Sequence, residues 1–185
     1  MTTSINTIVQ LKITGFKAFA KTDTKPAGVK LQSRFSKEEG GLGNFEIKCF
    51  GLNEADAKEI KGKSIELNEC RVFRPEGDYA PSYWSSTGKP ALLKESVDKP
   101  VINTMVAGKV EAIEPFAGEK FSGYSLFFIV TEGDTETVYA VKVVGMSENE
   151  AKAVLGKEVN IQQCKPLSKT SFITESKPAL HKASA

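Results

Sequence analysis

Residues Phe45–Cys70 read FEIKCFGLNEADAKEIKGKSIELNEC, and residues Tyr139–Cys164 read YAVKVVGMSENEAKAVLGKEVNIQQC. The two stretches align without a gap at a constant offset of 94 residues. Lys48 falls on Lys142, Gly51 on Gly145, Glu54 on Glu148 and Cys70 on Cys164. Ala57 and Lys58 fall on Ala151 and Lys152, and Gly62 and Lys63 on Gly156 and Lys157. Between these identities apolar meets apolar: Ile47 with Val141, Ile60 with Val154, Ile65 with Val159, Leu67 with Ile161. An internal repeat of this kind constrains the whole architecture, because both copies must satisfy one scaffold.

Each copy has a direct physical reading. Phe45, Ile47 and Cys49 alternate with Glu46, Lys48 and Phe50, the period-two signature of a half-buried strand. Gly51 permits a sharp exit. Asn53 is placed to cap a short helix over Ala55–Lys61, with Glu54, Asp56 and Glu59 early in the segment, where the helix dipole favours anions. Gly62 stands where a left-handed residue ends a helix, and Lys63–Phe73 returns to alternation. The second copy repeats this through Gly145, Ser147 as cap, Glu148–Leu155, Gly156 and Val159 with Ile161.

Upstream of each core lie two further strand candidates. They are Ile8–Ala20 and Val29–Phe35 in the first half, and Ile102–Phe116 and Tyr124–Thr131 in the second. Ser82–Leu93 adds a fifth in the first half. Gly15 and Gly108 fall inside the long first strands, where a glycine suits a bend. The expectation is a mainly β chain with units over 1–95 and 101–175 and a flexible tail over 176–185. Each unit carries one short helix between its third and fourth strands.

Composition narrows the function. Hydrophobic residues make up 40% and charged residues 26%, an ordinary globular balance. The net charge is only +2, but it is unevenly spread. Residues 1–95 hold 15 Lys and Arg against 12 Asp and Glu; residues 96–185 hold 10 against 11. All three arginines (Arg34, Arg71, Arg74) lie in the first half, so a polyanion would prefer that half. The three cysteines (Cys49, Cys70, Cys164) are odd in number and widely spaced, which fits reduced, packed thiols. The start, MTTSINTIVQ, has no signal-peptide pattern, and no stretch is long and apolar enough to span a membrane. A soluble, cytoplasmic protein is expected. The only histidine is His181, so a Ser-His or Cys-His pair has no base. No CxxC, paired His, GxxxxGK[ST] or well-placed GxGxxG occurs. No enzyme, metal or small-molecule cofactor is expected.

The layout of three strands, a helix and a closing strand is that of the OB-fold, a five-stranded Greek-key barrel. The first half resembles the small OB-fold single-stranded-DNA-binding proteins of phages and mobile elements. The resemblance rests on the helix insert Gly51–Gly62 and on the aromatic stretch from Arg71-Val72-Phe73-Arg74-Pro75 through Tyr79 to Tyr83-Trp84 and Lys89-Pro90. It implies two tandem OB-fold-like β-barrels. It also implies sequence-tolerant binding of single-stranded DNA in replication or recombination, self-association along the strand as a compatible contact, and a phage-infected bacterial cell as a setting. The end of the chain, Pro178–Ala185, departs from the bacterial pattern by lacking an acidic tail.

Sequence-tolerant binding needs cations along the phosphates and flat rings under the bases. With the apolar sets turned inward, Lys12, Lys30, Arg34, Lys48 and Phe50 face outward, together with Glu46. Phe50 there either stacks a base or packs under the helix or a tail. Arg71–Lys89 is the densest segment, with Phe73, Tyr79, Tyr83 and Trp84 interleaved with Arg71, Arg74 and Lys89. Tyr79 and Tyr83 are expected to reach solvent. Phe73 and Trp84 either stack or plug the barrel end. The Lys21–Lys30 loop is the other border of the groove. The rival reading is a protein-interaction or structural β-barrel tandem without a nucleic-acid ligand, and a third is an RNA-binding module.

Overall fold

The computed structural model describes residues 2–74, 77 and 80–181. Its elements in chain order are β1 (Ser4–Lys12), β2 (Gly15–Phe19), β3 (Gly28–Ser36), β4 (Leu42–Cys49), α1 (Glu54–Ile60), β5 (Ser64–Phe73), β6 (Ser82–Ser85) and β7 (Ala91–Leu92). Then follow β8 (Val101–Lys109), β9 (Ala112–Ala117), β10 (Ser122–Glu132), β11 (Thr135–Val144), α2 (Glu148–Val154), β12 (Glu158–Pro166), β13 (Ser171–Thr174) and β14 (Ala179–Leu180). The chain is mainly β, as expected. No helix among the described residues is long and apolar enough to cross a membrane.

The segments pack as two compact units. The first holds Thr7–Val72 and Ser82–Ile102; the second holds Asn103–Ala185 with Met1–Asn6 and Phe73–Pro81. Two short segments of the expected 1–95 unit thus belong to the second body. Within the first unit the strand order is β2-β3-β4-β6-β5-β1, and within the second it is β8-β12-β13-β11-β10-β9. In each, one strand pair is parallel, β4 with β6 and β11 with β13, while β1 with β5, β2 with β3, β3 with β4, β8 with β12, β9 with β10, β10 with β11 and β12 with β13 are antiparallel.

The ends of each order are successive in the chain. The amide of Ile13 donates to the Lys63 carbonyl at 2.9 Å, and the next amide, Thr14, donates to the Gln32 carbonyl at 2.9 Å. Val110 and Glu111 do the same toward Lys157 (3.0 Å) and Phe127 (2.9 Å). Each long first strand therefore breaks in two and serves both sheets. In the first unit the break directly precedes Gly15, close to where the bend is expected. In the second unit it lies at Val110-Glu111, while Gly108 stays inside β8, where a Cβ would sit 2.6 Å from the Thr3 hydroxyl.

The helix termini follow the local chemistry. Asn53 Oδ1 accepts from the Asp56 amide at 2.9 Å, and the Asp56 carboxylate accepts from the Asn53 amide at 3.1 Å. Ser147 and Glu150 form the same reciprocal cap. Gly62 and Gly156 close the helices at φ 83° and 74°, conformations that a side chain disfavours. Ala57 and Ile60, and equivalently Ala151 and Val154, turn inward.

The first core gathers Val9, Leu11, Ile13, Val29, Leu31, Ile47, Ile65 and Leu67 around Cys49 and Cys70. The second unit buries Val106, Leu126, Phe128, Val141, Val159, Ile161 and Phe172. The repeat extends further than the aligned stretch. Glu69 and Gln163 take φ 55° and 53° at matching irregularities of β5 and β12. β13 is a fifth strand of the second unit, equivalent to β6. Part of the segment expected to fray is paired instead, with Val159 opposite Leu180 and Asn160 opposite Ala179.

All three cysteines are free and buried. Desolvation pushes the Cys49 and Cys164 thiols up to about 12 and Cys70 to about 11. Because these folded values lie above the ordinary thiol value of about 8.5, the stabilisation they report is complete below that pH. It is lost as pH rises through the folded values. We expect an aromatic disulfide reagent at pH 8 to label no thiol in the native protein and all three in denaturant. Immediate labelling of any one would contradict the packing.

Candidate nucleic-acid interface

The bend after Ile13 shifts the alternation by one residue, and this shift builds the site. Val9, Leu11 and Ile13 point inward, but the next core-packed residue is Phe16 rather than residue 15. Lys17 and Phe19 consequently share the outer face of the β2-β3-β4-β6 sheet. A one-residue slip moves a whole strand's side chains to the opposite face. Treating Ile8–Ala20 as one unbroken strand hides both residues.

On that face the register lines up a transverse row. Lys17 lies opposite Lys30, Lys30 opposite Lys48, and Lys48 opposite Trp84. Three inter-strand steps of about 4.8 Å make the row roughly 14 Å long. Like charges placed directly opposite each other oppose sheet formation. Among the described residues, only Lys30 of this row forms an ion pair, with the Glu46 carboxylate at 3.0 Å. Glu46 also accepts from Gln32 Nε2 at 2.7 Å and Asn44 Nδ2 at 3.4 Å. The hydrogen bond from Lys30, followed by that from Gln32, holds the Glu46 carboxyl below the usual range.

A line of aromatic rings borders the row. Phe50 meets Phe19 edge-on at 5.7 Å and Trp84 at 6.1 Å. Rings at these separations gain from edge-to-face contact. Phe19 crosses to Gly28, where a Cβ would fall 2.8 Å from the Phe19 ring and 2.5 Å from the Cys49 carbonyl. Only glycine fits there. Trp84 is 37% exposed, so it does not plug the interior. Neighbouring Tyr83 takes the opposite face. It packs on the core against Phe45 at 5.2 Å, and burial pushes its phenol up. Tyr83 is therefore half-buried against the core, where exposure to solvent is expected from the sequence.

The other expected site residues are scattered. Arg34 is exposed on β3, opposite Asn44. Lys12 and Arg71 are exposed on β1 and β5, outside the row. Lys89 is held by Glu59 at 2.9 Å and Asp56 at 3.7 Å beside α1. Phe73 and Arg74 belong to the second unit. The Lys169 ammonium lies 5.9 Å over the Phe73 ring, and Arg74 donates to the Pro166 carbonyl at 3.1 Å. Tyr79 lies outside the described residues. The aromatic loop thus contributes Trp84 to the row and sends Phe73 elsewhere.

The second unit repeats the geometry with different chemistry. Its equivalent row is Glu114, Ser125, Lys142 and Ile173. Tyr139 and Phe172 stack at 6.4 Å where Phe45 and Tyr83 pair, and the Lys142 ammonium lies 5.5 Å over Phe116. The three-lysine row exists only in the first unit.

The sequence matches no protein-family model and no curated protein. The fold is similar to crystal structures of the single-stranded DNA binding protein from Thermus aquaticus. The wild type aligns at TM-score 0.52 and 12% identity over 100% of this chain and 98% of that chain. A deletion variant aligns at TM-score 0.52 and 12% identity over 100% and 97%. At this identity the likeness is one of fold. It supports the OB-type scaffold and is with a bacterial protein.

Phe50 packs on one edge of Trp84, the only tryptophan. We expect a small neutral quencher to reach Trp84 partially in the native protein, and Phe50→Ala to increase quenching with the far-ultraviolet spectrum unchanged. An unquenchable Trp84 would mean that it is buried.

Proposed function

We propose that this chain binds single-stranded DNA with little sequence preference on the outer face of the β2-β3-β4-β6 sheet, without catalysis, coating strands in replication or recombination. In this reading each half closes as an OB-type barrel, over about 1–95 and 101–175, of the kind found in phage and mobile elements. Lys17, Lys30 and Lys48 meet the phosphates; Phe50 and Trp84, buttressed by Phe19, offer rings to the bases. Arg34 and the exposed Lys21 and Lys25 extend the positive field.

The observation that carries the reading is the lysine row. Three ammonium groups in register on adjacent strands conflict with the usual pairing rule, and one carboxylate offsets only part of the repulsion. A bound polyanion removes the conflict. Departures from local rules of this kind mark functional surfaces. The nearby rings supply sequence-tolerant stacking, worth about 1–3 kcal/mol per base. The fold shared with a single-stranded DNA binding protein is consistent with the same use.

We expect oligothymidylate to quench Trp84 fluorescence, with affinity falling steeply as salt rises. Each phosphate-neutralising lysine contributes about 0.7 to the logarithmic salt slope on single strands. Lys17→Glu with Lys48→Glu should flatten that slope by about 1.4, whereas Lys142→Glu should leave it unchanged. Trp84→Ala should weaken binding by about 1–3 kcal/mol. No quench and no gel shift at low salt would overturn the reading. Equal effects from Lys142→Glu would place the binding face elsewhere. A clear preference for oligouridylate would favour an RNA ligand.

A further inference from the structure

The two units carry the same strand register, so their outer faces compare position by position. Where the first unit places Gln32, Arg34, Asn44 and Glu46, the second places Phe127, Ile129, Val138 and Ala140. Gly15 of the first corresponds to Ala112 of the second. The polar face of one unit is thus an apolar face in the other. Ile129 and Val138 lie directly opposite each other and are 37% and 57% exposed. Isolated exposed apolar residues need no explanation, but a contiguous cross-strand set does.

We propose that the outer face of β10 and β11 is a self-association surface that takes the same face of a second copy of this chain. The charge pattern along β11 selects this occupant. Its outward residues are Glu136, Val138, Ala140 and Lys142, in that order. A two-fold axis between Val138 and Ala140 turns this stripe onto itself. It sets apolar against apolar in the middle and each Glu136 against the partner copy's Lys142. Isologous contacts require such self-complementarity. Glu136 is exposed, and the Lys142 ammonium lies on the outer face over Phe116.

Area sets the strength. Ten paired residues on β10 and β11 and six on β9, at about 3.3 Å per residue and about 4.8 Å per strand, give a face of roughly 400 Å². That is about half of what a standard interface contributes per partner. The contact is therefore a concentration-dependent dimer. It does not rest on the DNA reading, and the sedimentation is run without DNA.

The full chain is examined by sedimentation velocity over a wide concentration series. The expected result is a monomer–dimer equilibrium that Ile129→Lys shifts fully to monomer with an unchanged circular dichroism spectrum. Glu136→Lys alone should weaken the dimer about tenfold, through lost pairs and new like-charge contacts. Glu136→Lys combined with Lys142→Glu should restore it, because the swapped stripe is again self-complementary. These exposed sites keep the test open should Ile129→Lys fail to fold. A monomer at every concentration would overturn the proposal. So would a dimer that ignores both single variants, or a double variant no better than Glu136→Lys. If the chain is monomeric and Ile129→Lys instead abolishes oligothymidylate binding, the face belongs to the nucleic acid and the proposal fails.

Discussion

At Ile13 and Thr14 two successive backbone amides donate to different strands, Ile13 to Lys63 and Thr14 to Gln32. This single switch lets one stretch of chain hydrogen-bond at both ends of the strand order. The makeup of the outer face at β2 follows from it. The bend moves the alternation by one residue, sends Phe16 into the core and brings Lys17 and Phe19 outside. The same switch at Val110 and Glu111 shows that it belongs to the scaffold shared by both units.

The scaffold and the surfaces obey separate constraints. Inward positions are matched in apolar character between the units: Leu31 with Leu126, Ile47 with Val141, Leu67 with Ile161. Caps, positive-φ glycines and the irregularities at Glu69 and Gln163 are matched as well. Outward positions carry weaker packing demands, and there the units diverge. One carries lysines, amides and a carboxylate; the other carries a phenylalanine, isoleucine, valine and alanine. A core built from alternate strand residues tolerates such divergence because burial acts on those residues only.

Much of this is legible before any coordinates. The matched stretch Phe45–Cys70 and Tyr139–Cys164 predicts strand, helix and strand twice, with Asn53 and Ser147 as caps and Gly62 and Gly156 as stops. Each reading rests on short-range backbone chemistry, and the structure shows all of them. The cysteines are legible as buried thiols for the same reason. Lys30, Lys48 and Phe50 are legible as outward residues because they sit on or beside short, regular strands, whereas the sequence leaves Trp84 open between stacking and plugging the barrel end. Lys17 and Phe19 are not, since the bend resets their parity. The second unit's fifth strand, Ser171–Thr174, is hidden because the offset between repeats changes after Cys164.

What the sequence determined by itself is therefore the local grammar: a duplicated mainly β scaffold, its helices and their ends. Hydrogen-bonding periodicity and capping act over a few residues, and those few residues are present in the chain. What only the tertiary structure decided is register. Register put Lys17 beside Lys30 and Lys48, set Trp84 outward and Tyr83 inward, and assigned Phe73 and Arg74 to the second unit. These outcomes depend on pairings between residues tens of positions apart, which no local pattern encodes.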